Sequence, residues 1–436
     1  MNDKKQIFGW AMYDWANSAY YTTVAVAIFP LFFSGVIVPE NGFEIGGKLF
    51  SPLSLIAFMS SISSFFIFLC APFLGAISDF SASKKKFLMV FCYGGSLFSI
   101  LLYFCGTGDV WLAMIFFVLS QIGFVGGNIF YDAFLPQIAS EDKLDWVSGK
   151  GFAYGYIGGG IQFALSLGLI TGHKFLGLEY GHAVKLAMVM AGLWWAGFSI
   201  VTFIYMKETV TPEQIPDEFR NSSKLSAYSR IGIGRTIATA KKVARFKQLG
   251  LFLIAFMIYN DAIQTVIKMA ASYGDELKIP HSFIMITLLV VQFVAFFGAL
   301  LFGSLAGKIS AKKALMITLM MWIFVVVYGY YMKSPAEYLF LGATIGIVLG
   351  GSQALSRSLY GSMIPPQASA EFYGFYSVFS KFSAIIGPAV FGIIDYLTGS
   401  ARYAILSLIA FFVVGLILLS LVNVEKAKEA KSLELF

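Results

Sequence analysis

The feature that most constrains this chain is a series of long apolar runs that contain no charged side chain. Ten such runs of at least 18 residues occur among the 436 residues. They are residues 15–39, 53–78, 87–108, 110–131, 151–173, 186–206, 282–307, 314–332, 338–356 and 403–424. A helix needs roughly 20 apolar residues to cross the hydrocarbon core of a bilayer. The runs therefore predict an integral membrane protein.

Two further apolar segments are interrupted by charges and complete the set. Residues 248–272 contain Asp261 and Lys268, and residues 372–397 contain Lys381 and Asp395. Only 13% of the chain is charged, whereas a soluble domain has about 25% charged residues. We therefore predict an all-α membrane protein with twelve transmembrane helices.

The basic residues fall mostly on one side of the predicted membrane. When the spans alternate in direction, 22 of the 31 Lys and Arg residues lie on the side of the two termini, and six lie on the other side. Basic residues are enriched in cytoplasmic loops, so we expect both termini in the cytoplasm. Lys4 and Lys5 lead into the first run without a signal-peptidase pattern, and we expect that run to be retained as a helix.

A long polar stretch, residues 207–247, separates six predicted spans from six others. It divides the chain into an N-terminal half, residues 1–206, and a C-terminal half, residues 248–436. The halves repeat each other, since Tyr131 to Pro136 and Tyr360 to Pro365 end their spans in similar positions. Repeated halves are typical of secondary transporters, which bind the solute between the repeats.

The linker ends in a basic amphipathic stretch that runs from Arg235 to Lys247. Apolar residues such as Ile237 and Ala240 recur in it at helical spacing. We interpret it as a helix on the cytoplasmic surface. A specific regulatory or lipid-binding role is the alternative interpretation.

Three sequence strings carry a resemblance to known transporters. Gly75-x3-Asp79 followed by Lys84-Lys85-Lys86 is similar to the cytoplasmic loop motif of the major facilitator superfamily, although Phe80 and Ala82 depart from it. The strings YDWANSAY at 13–20 and GGSQALSRSLY at 350–360 resemble the signatures of the vacuolar amino-acid effluxer family linked to autophagy and its bacterial relatives. The resemblance implies the major facilitator fold, two pseudo-symmetric six-helix halves and transport of amino acids. A bacterial inner membrane is expected rather than a vacuolar one.

Charged residues inside the predicted spans are candidates for the transport site. A charge at the membrane centre costs about 2.5–3.5 kcal/mol on insertion scales, so a functional role is the default hypothesis. Arg357 and Lys381 would donate to a solute carboxylate, whereas Asp14 or Asp261 would attract an ammonium or carry a coupling proton. Fixed ion pairs among these residues are the structural alternative. The full candidate set for substrate binding or coupling is Asp14, Asn17, Tyr20, Asn128, Gln162, Asp261, Gln264, Gln353, Arg357 and Lys381.

A second set is expected to form a cytoplasmic gate. It consists of Gly75, Asp79, Lys84 and Lys85 in the loop motif and of Asp132 near the end of the fourth span. These residues would hold the inner ends of neighbouring helices in one of two conformations.

Other function classes lack a matching motif. No G-x4-G-K-[ST] phosphate loop and no H-E-x-x-H metal motif occur, so we expect neither ATP-driven transport, an enzyme, a cofactor nor a metal. The expected partners are a small solute and membrane lipids, with a proton as the coupling ion, no nucleic acid, and a monomeric state. A lipid-moving protein or a non-transporting sensor with the same fold remains the alternative.

Overall fold

Twelve long apolar helices, TM1 to TM12, make up most of the computed structural model. The structure describes residues 1–39, 42–208, 211–219, 223–383 and 386–433. The spans are TM1 (Lys4–Ile37), TM2 (Pro52–Phe80), TM3 (Lys84–Leu101), TM4 (Val110–Ile138), TM5 (Leu144–Thr171), TM6 (Tyr180–Tyr205), TM7 (Lys247–Glu276), TM8 (His281–Ile309), TM9 (Ala311–Tyr331), TM10 (Pro335–Met363), TM11 (Ser369–Phe382 and Ile386–Thr398) and TM12 (Ala401–Leu421). The predicted all-α fold with twelve spans is confirmed.

The remaining elements lie between the spans or follow the last one. A hairpin of two antiparallel strands, β1 (Phe43–Ile45) and β2 (Lys48–Phe50), joins TM1 to TM2. Single 3₁₀ turns lie at Leu102–Phe104, Asp217–Phe219 and Pro366–Ala368. A linker helix (Lys224–Arg245) precedes TM7, and a C-terminal helix (Val424–Leu433) follows TM12.

Local sequence signals explain where several spans begin and change geometry. TM10 starts with a capping box in which Ser334 and Glu337 satisfy each other's backbone N–H groups. TM2 starts at Pro52 behind the capping side chain of Ser51. TM1 widens to π-helical geometry at Tyr20–Ile28, just before Pro30, which has no N–H group to continue the α-helical pattern.

The six N-terminal and six C-terminal spans meet closely at one end of the bundle. We call this the linker end, because the start of TM1, the linker and the C-terminal helix all lie there; the opposite end is the far end. Gly374 of TM11 lies against Pro72 of TM2, where a Cβ atom would be 2.8 Å from the Pro72 Cα. Gly149 of TM5 similarly faces the carbonyl of Ala299 in TM8, at 2.6 Å. Glycine is needed at these positions because the backbones nearly touch.

Polar contacts also bridge the halves at the linker end. Gln137 at the end of TM4 donates to the Pro366 carbonyl at 2.9 Å and to Ser369 at 3.1 Å. Lys431 of the C-terminal helix donates to Glu141 at 2.7 Å, and to the carbonyl of Ser362. The two halves are therefore joined at this end.

The linker helix begins earlier than the amphipathic stretch that the sequence indicates. It starts at Lys224 rather than near Arg235. Its glycines, Gly232 and Gly234, are poor helix formers. Packing compensates, because Ala227 and Ile231 are buried and Gly232 fits between side chains of TM2.

Candidate functional site

A cavity of about 400 Å³ lies between the two halves. Residues of TM1, TM4 and TM5 line one side, and residues of TM7, TM8, TM10, TM11 and TM12 line the other. The cavity brings together seven of the residues that the sequence analysis selected: Asp14, Asn17, Asn128, Asp132, Gln264, Gln353 and Lys381. Its volume is within the roughly 300–1,000 Å³ range of small-molecule sites.

Arg357 of TM10 lies at the linker-end base of this cavity and reaches into the N-terminal half. Its Nη1 atom is 3.3 Å from Oδ2 of Asp14 in TM1 and 3.1 Å from Oδ1 of Asp132 in TM4. Its Nε and Nη2 atoms donate to the side chain and the carbonyl of Ser148 in TM5, at 3.0 and 2.9 Å. One side chain of the second half therefore binds three spans of the first.

Aromatic rings enclose the guanidinium group and fix its orientation. Its carbon lies 4.0 Å from the ring centre of Phe152, 4.8 Å from Trp10 and 5.4 Å from Tyr131. A guanidinium over an aromatic face gains cation–π attraction. The Tyr131 hydroxyl donates to Asp14 at 2.8 Å, and Trp10 donates to the Tyr131 carbonyl. The rings and the carboxylates thus form one network, which we call the Arg357 tie.

This placement differs from the expected role of Arg357 as a donor to a solute. The side chain is only 3% exposed, and it is not among the residues that line the cavity. Its donors are occupied by Asp14, Asp132 and Ser148. In this conformation the alternative interpretation, an ion-pair network, describes these groups.

Lys381 faces the cavity from the opposite wall, on the first helix of TM11. It lies among the cavity-lining polar residues Gln264, Ser377 and Ser380. The part of the chain that the structure describes gives it no salt bridge, whereas Arg357 has two. Lys381 is the basic residue among those that line the cavity.

Asp261, which was expected in the site, lies behind the cavity wall. It is 2% exposed, and its Oδ2 accepts the Gly387 N–H at 2.9 Å. Gly387 is the second residue of the Ile386–Thr398 helix, so the carboxylate lies at the positive end of that helix dipole. The neighbouring Asn260 donates to Ser383 and also lines the cavity. TM7 thereby holds the two helices of TM11 in position.

Tyr20 and Gln162 are also buried away from the cavity. The Tyr20 hydroxyl is hydrogen-bonded to Ser120 at 2.7 Å, and Gln162 is bonded to Thr23 and Ser166. These contacts join spans within the first half. The residue that lines the cavity instead of Tyr20 is its neighbour Tyr21.

The sequence analysis missed several cavity residues. Tyr156 of TM5 donates to Gln353 of TM10 across the cavity. Asn260 could have been selected as a candidate from the sequence, because Tyr259-Asn260-Asp261 parallels Tyr13-Asp14. The i, i+4 spacing of Asn260 and Gln264 places both on one face of TM7.

Three of the five expected gate residues, Gly75, Asp79 and Asp132, contact the second half, and a fourth, Lys84, is paired with Asp79. Asp79 and Lys84 form an ion pair with fully buried side chains, and the other Asp79 oxygen accepts the Glu371 N–H of TM11 at 2.8 Å. Gly75 packs against the backbone of Ala370. Asp132 belongs to the Arg357 tie.

Lys85, the fifth expected gate residue, has a different position. Its backbone N–H donates to Glu208 at 2.6 Å, and its ammonium donates to the Met206 carbonyl at 3.0 Å. Burial raises the pKa of the Glu208 carboxyl, and the Lys85 hydrogen bond partly opposes that change. Lys85 therefore joins TM3 to the end of TM6 within the first half.

The next question is whether the described residues could form a metal site. Among them, no three His, Cys, Asp or Glu side chains form a group that could hold a metal ion. The site consists of amide, hydroxyl, carboxylate and ammonium groups around a cavity.

Twelve spans in two halves, with a cavity between them, define a major facilitator superfamily transporter. Solved structures with this fold cover nearly the whole chain. The human organic anion transporter MFSD10 (TETRAN) matches with a TM-score of 0.70 at 14% identity, over 95% of this chain and 99% of that one. The transporter FucP in its outward conformation matches with a TM-score of 0.69 at 13% identity, over 96% and 98%.

Sequence comparison narrows the class to a family. Residues 2–432 match the family model described as "Vacuole effluxer Atg22 like", and the chain belongs to this family. The MFS-type transporter YxiO of Bacillus subtilis is 33% identical over 98% of this chain and 96% of its own length. Autophagy-related protein 22 of Kluyveromyces lactis is 25% identical over 99% and 96%. The expected family resemblance is confirmed.

Proposed function

We propose that this protein is a secondary active transporter that moves small zwitterionic solutes, amino acids in particular, by proton-coupled alternating access. The observation that carries the proposal is the cavity between the halves, whose linker end is closed by the Arg357 tie. A site between repeats that is closed at one end is one state of an alternating-access cycle. The family description as a vacuole effluxer supports transport, and the amino-acid solute is what the resemblance of the YDWANSAY and GGSQALSRSLY strings implies.

The cavity offers complementary groups for the two charges of an amino acid. Lys381 supplies a cation for the carboxylate, while Asn17 and Asn128 supply amide oxygens on the opposite wall. The Asn17 amide donates to the Asn128 side-chain oxygen at 2.6 Å, so both side chains are held in place. The partly exposed carboxylates of Asp14 and Asp132 make this wall attractive to an ammonium.

The proton coupling is assigned to the Arg357 tie. Two carboxylates, Asp14 and Asp132, share one guanidinium, so one negative charge is not balanced within the tie. A proton on either carboxylate removes that excess and weakens the bond to Arg357. Protonation would therefore favour separation of the halves at the linker end.

We place the linker end on the cytoplasmic side, because it carries most of the basic residues. The described conformation then has its cytoplasmic side closed and would admit solute from outside. The likeness to FucP in an outward conformation supports this assignment. Because the chain is 33% identical to an MFS-type transporter of Bacillus subtilis, we propose the bacterial inner membrane.

Proteoliposome flux measurements test the proposal. Purified protein that exchanges radiolabelled amino acids in counterflow, and that accumulates them when the pH gradient is imposed, would agree with it. A thermal-shift screen against amino acids, peptides and organic acids selects the solutes, because a ligand of the native state raises its stability. Lipid scrambling without amino-acid exchange would refute the proposal in favour of a lipid-moving protein. Binding without flux would indicate a sensor.

A further inference from the structure

We infer that the outer face of the linker helix binds acidic lipid headgroups of the membrane leaflet at the linker end. This face carries Arg230, Ile233, Ile237 and Lys241, all of which are exposed. The inference names a binding surface that the transport cycle does not require. Only its consequence for transport rate rests on the proposed function.

The packing of the linker helix on TM2 places it beside the bundle. Gly232 lies between Phe73 and Ile77, where a Cβ atom would be 2.9 Å from each side chain. These residues precede the end of TM2 at Phe80 by roughly 10 Å and roughly 5 Å, at about 1.5 Å per residue. The helix therefore lies at the depth where the span leaves the hydrocarbon, which is the depth of the headgroups.

The exposed residues lie on the side of the helix opposite TM2. At about 100° per residue, Arg230, Ile237 and Lys241 share an arc of roughly 40°, and the buried Gly232 and Thr239 lie about 180° away. Ile233 and Ile237 expose 54% and 52% of their surface. Since the inner face contacts TM2, the outer face points away from the bundle at membrane depth.

The chemistry of this face fits an anionic lipid surface. Interfacial helices place apolar side chains at the headgroup boundary and basic side chains against phosphates. No acidic residue occurs between Lys224 and Arg245 in the sequence, so the face has a uniform charge sign. Basic residues near a membrane surface are attracted to acidic lipids and lose that attraction with salt.

The inner face of the helix connects this surface to the closed linker end. Arg235 donates to Glu213 at 2.7 Å, and its Nε lies 3.9 Å from Glu371 of TM11. Glu371 is the residue whose N–H binds Asp79 of TM2. Lipid that holds the helix in place would therefore stabilise the contact between TM2 and TM11.

The direct test is lipid binding by the full-length protein in nanodiscs. An environment-sensitive fluorophore is attached at Ala238→Cys, an exposed position beside the proposed face, after Cys70, Cys92 and Cys105 are replaced by Ser. Increasing phosphatidylglycerol in phosphatidylcholine nanodiscs should shift its emission to the blue. The shift should weaken in high salt.

The decisive variant is Arg230→Gln with Lys241→Gln. It should lower the apparent affinity for phosphatidylglycerol by roughly 30-fold, because each basic residue near an acidic surface contributes roughly fivefold, so most of the blue shift should be lost even in discs of phosphatidylglycerol alone. The matched control, Lys174→Gln with Lys333→Gln, removes two exposed charges at the far end and should change nothing. Equal emission in both lipids, or no difference between the two double variants, would overturn the inference. This readout needs no transport, so it stands or fails separately from the proposed function.

Discussion

Replacement of Arg357 by Gln tests whether the Arg357 tie holds the linker end closed. The guanidinium is the group of the tie that belongs to the C-terminal half. In the part of the chain that the structure describes, its hydrogen bonds go to Asp14, Asp132 and Ser148 of the N-terminal half. Removal of one partner from a buried ion pair costs about 3–5 kcal/mol, because the other charge is left without compensation. Asp14 and Asp132 retain 12% and 18% exposure, so water in the cavity partly solvates them. We therefore expect Arg357→Gln to destabilise the closed state by about 3 kcal/mol, the lower end of this range.

A free-energy change of about 3 kcal/mol corresponds to roughly 100-fold in the ratio of closed to open states. Ser369 reports on that ratio, because it is fully buried between TM4 and TM11. The labelling rate of Ser369→Cys by a small maleimide, in a background without native cysteines, should increase by up to 100-fold in Arg357→Gln. Arg357→Lys should give an intermediate rate, because an ammonium pairs with a carboxylate but lacks the planar fork.

Two further variants separate a loss of the tie from a loss of folding. Arg402→Gln removes an arginine that donates to the carbonyl of Tyr330 at the far end, and the labelling rate should stay unchanged. In the double variant Arg357→Gln with Asp14→Asn, part of the increase should disappear, since one uncompensated carboxylate is gone. A folded Arg357→Gln protein with the original labelling rate would refute the tie.

Three other predictions concern proton coupling, solute binding and the contact between TM2 and TM11. Asp14→Asn with Asp132→Asn should abolish accumulation driven by a pH gradient. Counterflow in the same proteoliposomes should persist at a higher half-saturating concentration, because these carboxylates also attract the solute ammonium. Lys381→Gln should raise the half-saturating concentration of amino acids by roughly 10- to 100-fold, the value of a hydrogen bond to a charge; an equal loss for amines without a carboxylate would contradict it. Gly374→Ala, which places a methyl 2.8 Å from Pro72, should cost the closed state about 1–3 kcal/mol and accelerate labelling of Ser369→Cys.

The spans could be predicted from the sequence because the bilayer imposes one strong requirement on each of them. Backbone groups in hydrocarbon must be paired within the helix, so a long uncharged run has few alternatives to a span. The ends were less predictable. TM5 begins at Leu144, well before the uncharged run at 151, because Asp145 and Lys150 precede that run and still belong to the helix.

The sequence predicted many of the residues that form the candidate site, but it predicted less well which of them face the cavity. Adjacent residues of a helix point about 100° apart, so Tyr21 faces the cavity while Tyr20 bonds to Ser120 in the wall behind it. Helical spacing distinguishes these two tyrosines, because Tyr21 lies seven residues after Asp14 and shares its helix face, whereas Tyr20 does not. Asp261, in contrast, required knowledge of the Gly387 N–H that it accepts from another span.

The partner of a buried arginine was the least predictable property. Insertion cost identifies Arg357 as unusual, but the same cost is offset equally by a solute carboxylate or by protein carboxylates. Only the packed bundle shows that Asp14 and Asp132 converge on it from two spans of the other half. The sequence therefore supplied the charged groups, and tertiary packing decided how they pair.

The pairing assigns different tasks to the two cations within the proposed cycle. Arg357 is bound by two carboxylates across the halves, so in the proposed cycle their protonation would control its release. Lys381 lines the cavity, so a solute carboxylate can approach it while the tie remains closed. Solute binding would then precede opening of the linker end, and the proton would decide when that end opens. A transporter built in this way would still exchange solute without a pH gradient, which is why counterflow should survive the loss of Asp14 and Asp132 charges.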